Sequence, residues 1–247
     1  MVVKLRYMRH CRARPKALIE RPDNVRIADG LFEEVAKIGT ASVRRIYGDF
    51  SDSHLKGWEA VLQKHAIIPQ QQYAYTKGKN ASDITLVIDA MDLLHTGLFD
   101  GFCLVSSDSD FTRLASRIRE QGVDVYGFGQ KKTPESFRQA CHRFIYTENL
   151  HGGAEKSSDD PAAVKDTQPP PSKAVPLVKK AIAELEGDNG WFPLNIVGSQ
   201  LNRLYPDFDS RNYGFQKLSE LVRKTGAFDV ETPKGGSMRI RLKSGGK

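Results

Sequence analysis

The chain has 247 residues, of which 39% are hydrophobic and 27% are charged, a composition that excludes a disordered chain and is typical of globular domains. It contains no run of about 18 apolar residues, so we expect no membrane-spanning helix and no membrane partner. The formal net charge is +7.

This charge is distributed unevenly, with two basic ends around a slightly acidic body. Residues 1–16 contain six basic and no acidic side chains, and residues 173–247 contain thirteen basic and eight acidic ones. Residues 17–150 hold 16 basic and 18 acidic side chains. This pattern is typical of a protein that binds a polyanion through its two basic ends and processes it in its middle region. Ordinary solvated surface charge is the alternative.

The cysteines and the N-terminus point to a reducing compartment. Cys11, Cys103 and Cys141 are odd in number and widely spaced, which predicts neither a disulfide framework nor a Cys/His zinc site. The start lacks the apolar segment of a secretory signal, so we expect a cytoplasmic protein. The basic residues 1–15 form an extension that could be a nucleic-acid arm, a disordered tail or an organellar transit segment.

From residue 16 to residue 150, short apolar runs alternate with helical periodicity. Strands are predicted at Lys16–Glu20, Ser42–Tyr47, Ile67–Tyr75, Phe102–Ser106, Val123–Phe128 and Arg143–Tyr146. Helices are predicted at Val25–Ile38, Leu55–His65, Asp83–Thr96, Phe111–Glu120 and Pro134–Ala140. This alternation predicts an α/β domain over 16–150, with a mostly parallel sheet and helices on both faces. Sites in such sheets lie at the carboxyl ends of the strands.

Residues 151–172 are rich in Gly, Ser, Asp and Pro and are predicted to form a flexible linker. The chain then resumes helical periodicity and ends in two short β-rich runs. Helices are predicted at Val175–Leu185, Leu194–Leu204 and Arg211–Lys224, and strands at Phe228–Glu231 and Met238–Leu242. Three helices followed by a two-stranded wing predict a small winged-helix domain over 173–244.

Acidic and amide side chains lie where the predicted sheet would place a site. Asp23 and Asn24 follow the first strand, Asp83 begins a helix, and Asp108 and Asp110 follow the fourth strand. Carboxylates from separate strand ends repel one another unless a cation neutralises them, and oxygen ligands without His or Cys favour Mg²⁺ or Mn²⁺. Such ions assist the hydrolysis of phosphodiesters. Helix capping by Asp108 and a favourable helix-dipole charge at Asp83 are the structural alternatives.

Motifs in this region, in this order, resemble those of the NYN-domain family. They are GKNASD at 78–83, VIDAMDLL at 87–94, SSDSDF at 106–111, QGV at 121–123, YGFG at 126–129 and TPESF at 133–137. The resemblance implies a Rossmann-like, PIN-like sheet, an acidic Mg²⁺ site and ribonuclease activity. It implies metal-binding and catalytic roles for Asp83, Asp108 and Asp110.

Further residues complete this hypothesis. Glu20 or Asp23 would join the metal ligands, Asn24 would orient the substrate or a ligand, and Lys79 and Ser107 would contact phosphate. Asp89 lies on the same predicted helix as Asp83 but is rotated away from it, so we expect Asp89 to face solvent.

The first motif departs from the family pattern. Counting back from Asn24, Arg21 occupies the place of an acidic metal ligand, and a one-residue insertion would bring Glu20 there instead. A fixed cation in the site would weaken metal binding. A catalytically impaired RNA-binding adaptor is therefore the alternative function, and a phosphatase is a third possibility that only the acidic site supports.

Three C-terminal segments resemble the OST-HTH (LOTUS) domain: GWFPL at 190–194, LYPDFDSRNYGFQKLSELV at 204–222 and SMRIRLK at 237–243. The resemblance implies RNA as a partner and, in some members, a helicase or other protein. The candidate RNA-binding residues are Arg203, Arg211, Tyr213, Lys217, Arg239 and Arg241. Trp191 and Phe215 are expected in the core, whereas Tyr213 could pack there or stack on a base. The sequence does not determine the oligomeric state.

Overall fold

A computed structural model describes residues 15–20, 27–48, 50, 58–72, 81–150, 168–187, 189–233 and 235–243, with the side chains of 15–20 and of residue 81 excepted. Contacts divide the chain into two compact units, residues 1–141 and 142–247. No helix in the described ranges is long and apolar enough to cross a membrane. Most of the predicted basic extension and of the predicted linker, at 1–14 and 151–167, lies outside the described residues.

The first unit alternates strands and helices. Its strands are β1 (Pro15–Glu20), β2 (Val43–Gly48), β3 (Ile68–Gln71), β4 (Gly101–Val105) and β5 (Asp124–Gly129). Its helices are α1 (Ala28–Ile38), α2 (Trp58–His65), α3 (Ala81–His95), α4 (Thr112–Glu120) and α5 (Glu135–Ala140). These strands pair in parallel in the order β3-β2-β1-β4-β5. The predicted α/β fold, a parallel sheet flanked by helices, is confirmed.

The strand β4 lies inside the sheet and is apolar on both faces. All five of its residues are buried, and β1 and β5 pair with it on either side. A parallel strand that helices cover on both faces has this continuous apolar pattern. Burial raises the pKa of the Cys103 thiol in β4 to about 12, so this cysteine is a core residue rather than a nucleophile.

The strand register places the end of β1 at one edge of the sheet with the ends of its neighbours. Ile19 pairs with Val105, and Glu20 pairs with Tyr47. Ser106 continues β4 by donating its N–H to the carbonyl of Phe128 at 2.9 Å. The carboxyl ends of β1, β4 and β5 therefore lie at the same edge of the sheet, as the site prediction requires.

The second unit opens with one short strand and continues into a small domain of helices on an antiparallel sheet. Its elements are β6 (Arg143–Tyr146), α6 (Val175–Ala183), β7 (Phe192–Pro193), α7 (Leu194–Leu204), α8 (Leu218–Thr225), β8 (Phe228–Glu231) and β9 (Arg239–Leu242). Val178, Leu201, Leu221 and Ile240 are fully buried in one core. The predicted small C-terminal domain is confirmed.

Two local predictions in this domain are wrong. The single helix predicted over Arg211–Lys224 is divided into a 3-10 turn, Ser210–Tyr213, and the helix α8. Gly214 separates them with φ 85°, a left-handed conformation that ends a helical turn and that glycine adopts without strain. The predicted two-stranded wing has three strands, in the order β7-β9-β8, because Phe192 and Pro193 pair with β9.

Candidate functional site

The loop after β4 holds Asp108 and Asp110 in a defined turn. The buried Ser106 accepts a hydrogen bond at its Oγ from the N–H of Asp108 at 2.9 Å. Asp108 Oδ1 in turn accepts from the N–H of Asp110 at 2.9 Å and caps the 3-10 turn Ser109–Phe111. Asp108 therefore does cap a helical turn. One capping bond, however, uses only part of the accepting capacity of a carboxylate, so Asp108 could also bind a cation.

Ser107 connects this loop to the segment after β5. Its hydroxyl oxygen accepts a hydrogen bond from the N–H of Gln130 at 2.9 Å. Ser107 therefore fixes the loop that carries Asp108. Its predicted contact with a phosphate stays a prediction.

Asp83 lies in the first turn of α3 and is partly buried. Burial raises the pKa of this carboxyl, and the negative charges of Asp108 and Asp110 raise it further. The hydroxyl of Ser82 donates to Asp83 Oδ1 at 3.3 Å and opposes the shift. The carboxylate of Asp83 is thus repelled by two carboxylates of the loop after β4, a segment that is distant from it in the sequence.

The chemistry of these donors fits a hard divalent cation, since all three are carboxylates and no thiolate or imidazole accompanies them. Carboxylates, however, repel one another at distances that are too long for them to bind the same ion. Among the described residues, no group of three or more His, Cys, Asp or Glu side chains is close enough to hold a metal ion. An ion at Asp83 would therefore need ligands from the segment after β1 or a closer approach of Asp108 and Asp110.

The remaining predicted residues of this site have no described side chain. Asp23, Asn24 and Lys79 lie outside the described residues, as does Arg21. The backbone of Glu20 ends β1 at the correct edge, one position beyond the pair Ile19 and Val105. Its role as a metal ligand stays a prediction.

Asp89 does not face solvent as expected. Its carboxylate accepts hydrogen bonds from the guanidinium of Arg45 and from the hydroxyl of Tyr47, both on β2. Burial and the bond to Asp89 raise the pKa of Tyr47, so the phenol stays protonated. The only local signal of this cluster in the sequence is that Arg45 and Tyr47 are two residues apart and share one face of a strand, which is too weak to predict it.

In the second unit, two predicted RNA-binding arginines are already paired with acids. Arg239 donates to Glu231 at 2.6 Å and Arg241 to Asp229 at 3.1 Å, both across the β8–β9 pairing. The two guanidinium carbons also lie 5.0 and 4.7 Å from the centre of the Trp191 ring. Trp191 is therefore half-buried beside cations rather than in the core.

Arg211 and Tyr213 also have internal contacts. The guanidinium of Arg211 donates to Asp209, with a shortest distance of 2.7 Å, and to the carbonyl of Asn149 at 3.3 Å. Burial and the nearby charge of Asp207 raise the pKa of Tyr213, which packs partly buried against the core. These contacts reduce the availability of both side chains for RNA.

The other two predicted cations lack such partners. Within the part of the chain that the structure describes, neither Arg203 nor Lys217 forms an ion pair, and both side chains are exposed. They retain their full charge toward a phosphate.

Comparisons with known proteins agree with both halves of this description. The NYN-domain model matches residues 17–150, and the OST-HTH/LOTUS-domain model matches residues 167–240. NYN domains are generally ribonucleases, and OST-HTH/LOTUS domains bind RNA. No curated protein matches the sequence.

Two similar solved structures are of proteins without an assigned function. A crystal structure of a protein of unknown function from Vibrio parahaemolyticus is 15% identical, with a TM-score of 0.46, and the match covers 56% of this chain and 96% of that one. A solution NMR structure of an uncharacterized protein from Nitrosomonas europaea is 36% identical over 38% of this chain and 93% of that one, with a TM-score of 0.28.

The family match covers more than half of the chain and includes Asp83, Asp108 and Asp110. The chain belongs to the NYN-domain family and carries a C-terminal OST-HTH/LOTUS domain.

Proposed function

We propose that this protein is a divalent-metal-dependent ribonuclease whose NYN domain hydrolyses RNA phosphodiesters while its OST-HTH domain holds the RNA. The observation that carries the proposal is that the matched NYN region places a partly buried Asp83 in the first turn of α3 and Asp108 and Asp110 in the loop after β4. The charges of Asp108 and Asp110 act on Asp83 and help to raise its pKa. A fold gains no stability by placing like charges together, and such an arrangement is typical of sites that bind a cation.

The proposed roles divide between metal binding and substrate binding. Asp83, Asp108 and Asp110, with Glu20 or Asp23, would hold Mg²⁺ or Mn²⁺. A bound divalent ion supplies positive charge to the scissile phosphate and lowers the pKa of the attacking water. Outside this ligand set, Asn24 would orient the substrate, and Lys79 and Ser107 would contact phosphate.

The hydrolysis needs only water and RNA as reactants. Water attacks phosphorus, the bond from phosphorus to one ribose oxygen breaks, and the released oxygen takes up a proton. Ser107 supports this step indirectly, because its bond to Gln130 fixes the loop that presents Asp108.

A cleavage assay on the full chain tests the proposal. End-labelled single-stranded RNAs of several sequences are incubated with Mg²⁺ or Mn²⁺, and with EDTA as the metal-free condition. We expect metal-dependent cleavage that Asp83→Asn and Asp108→Asn each reduce by at least about 100-fold.

The matched control is Asp92→Asn, the same substitution at an exposed position of α3. It should leave cleavage unchanged. Cleavage that persists at full rate in both site variants, or in EDTA, contradicts the proposal.

The second candidate is a non-catalytic RNA-binding adaptor. It is favoured by the absence of a metal-binding group of three acids among the described residues, together with Arg21 in the first motif. Absence of cleavage across all RNAs and both metals, with RNA binding retained, would establish this candidate instead.

We further propose that the NYN domain extends over 16–150 and the OST-HTH domain over 173–244, with a basic extension at 1–15 and a linker at 151–172. The C-terminal domain is also the proposed site for a protein partner such as a helicase. The proposed location is the cytoplasm.

A further inference from the structure

A cleft of about 530 Å³ opens between α7, α8 and the strand β9 in the second unit. Its walls are mainly apolar and come from Leu194, Leu218 and Met238. The N–H of Leu194 donates to the carbonyl of Met238 at 2.9 Å, which fixes the start of α7 against the start of β9. The volume falls within the range of about 300–1,000 Å³ that is typical of ligand pockets, but the cleft is open to solvent rather than enclosed.

Residue 198, which lies inside α7 and lines this cleft, is a glycine. A Cβ at Gly198 would meet only Leu218, at 3.4 Å, which is an ordinary van der Waals contact. Glycine in a helix interior is less favourable than alanine. The backbone at this position therefore does not require glycine. A larger side chain at position 198 would fill part of the cleft.

Polar groups line the rim of the cleft. They belong to Asn195, Lys217, Ser219 and Ser237. The side chains of these four residues form no hydrogen bond or ion pair with another described residue. These residues therefore offer a positive charge, an amide and two hydroxyls to a ligand, beside mainly apolar walls.

The charge of the domain decides which occupant fits best. Residues 173–247 have thirteen basic and eight acidic side chains. Arg211, Arg239 and Arg241 are paired with acids, whereas Lys217 at the cleft forms no ion pair with another described residue. An apolar slot beside an unpaired cation matches a nucleotide, which has a flat apolar face and an anionic phosphate.

We propose that this cleft seats one unstacked nucleotide of single-stranded RNA, with its base between the apolar walls and its phosphate at Lys217. The proposal rests on the proposed RNA binding and adds the position at which the C-terminal domain holds the strand. Single strands supply such a base without opening a duplex, so the proposal also predicts a preference for single-stranded over duplex RNA.

Filling the cleft tests the proposal. Binding of a labelled single-stranded RNA to the full chain is measured in EDTA, where the proposed metal-dependent cleavage cannot interfere. Gly198→Leu should weaken binding by about tenfold, because the base loses its place. The matched control places the same side chain one residue along α7, at the exposed Ser199 outside the cleft lining, and Ser199→Leu should bind like the native chain.

A second measurement does not depend on a variant. RNA containing 4-thiouridine is cross-linked to the native chain, and the attached peptides are identified by mass spectrometry. Cross-links at 194–198, 217–219 or 237–238 support the proposal.

The outcomes separate this inference from the proposed function. If Gly198→Leu binds RNA as tightly as the native chain and cross-links lie elsewhere, the cleft does not bind RNA and a peptide becomes its better occupant. In that case the proposed ribonuclease activity is not affected, and the cleavage assay still tests it. A native chain that binds no RNA contradicts the proposed RNA binding as well.

Discussion

Asp83, in the first turn of α3, lies within electrostatic reach of Asp108, in the loop after β4. Burial raises the pKa of Asp83, and the charge of Asp108 adds to this rise. A negative charge at a helix N-terminus is usually favourable, whereas desolvation and the charges of Asp108 and Asp110 act against the ionised form of Asp83. This relationship is the physical basis of the proposed metal site.

Replacing Asp83 by Asn should stabilise the metal-free protein at neutral pH. A carboxyl whose folded pKa lies above its unfolded value of 3.8 opposes folding when it is ionised. The gain is full at pH 7 and disappears as the pH falls through the raised pKa toward 3.8, because both forms are then neutral. Since Asp83 is only partly buried, the gain should be at most about 0.5 kcal/mol.

Urea unfolding of the two proteins between pH 4 and pH 8, in EDTA, measures this difference. Addition of Mg²⁺ should reverse the order, because the native chain binds the ion more tightly than the variant and is stabilised by it. A variant that is less stable than the native chain at pH 7 in EDTA would contradict the repulsion argument.

Two substitutions at Asp108 should separate helix capping from catalysis. Asp108→Asn keeps an oxygen that can accept from the N–H of Asp110, so the free energy of unfolding should change by no more than about 0.5 kcal/mol. Asp108→Ala removes the cap and should cost about 1 kcal/mol. Both variants should lose cleavage to the same extent, because both lose the charge.

Thermal or urea unfolding and the RNA cleavage assay, applied to the same two samples, check this prediction. If Asp108→Asn cleaves RNA like the native chain, Asp108 is only a capping residue.

The cluster of Asp89, Arg45 and Tyr47 should contribute to stability rather than to catalysis. Asp89→Ala leaves a half-buried guanidinium and a buried phenol without their acceptor, and should lower the free energy of unfolding by about 2 kcal/mol. Tyr47→Phe removes one hydrogen bond and should cost about 1 kcal/mol.

The double variant should cost less than the sum of the two single changes, because removal of the phenol hydroxyl leaves one fewer buried polar group unsatisfied. Urea unfolding measures all three, with Asp92→Ala on the exposed face of α3 as the control. Costs of about 0.5 kcal/mol or less for Asp89→Ala would show that the cluster behaves like a surface ion pair.

The predicted RNA-binding cations should differ in their contribution to affinity. Lys217→Gln and Arg203→Gln each remove an unpaired charge, and each should reduce the slope of log affinity against log salt by up to about one unit. Arg239→Gln should change it less, because Glu231 already neutralises that guanidinium.

Titrations of single-stranded RNA in EDTA at several salt concentrations give these slopes. Arg239→Gln that lowers the slope as much as Lys217→Gln would show that RNA displaces Glu231 from Arg239.

The sequence by itself determined the elements and the fold class. Hydrophobic periodicity is a local property, so the buried run Gly101–Val105 and the helical spacing of α3 and α4 could be recognised without the structure. The motifs around Asp83 and Asp108, which occur in the same order as in the NYN family, also identified the family. Local signals misled at Gly214, which ends the turn before α8, and at Phe192–Pro193, which adds a third strand to the wing.

Only the tertiary structure decided which side chains meet. Asp89 was expected in solvent because helical rotation separates it from Asp83, and nothing local shows that β2 brings Arg45 and Tyr47 to it. The pairing of Arg239 with Glu231, the effect of the Asp108 charge on Asp83 and the cleft lined by Gly198 each involve residues from different elements. Periodicity specifies the face that a residue occupies, but strand order, register and helix packing specify its neighbour.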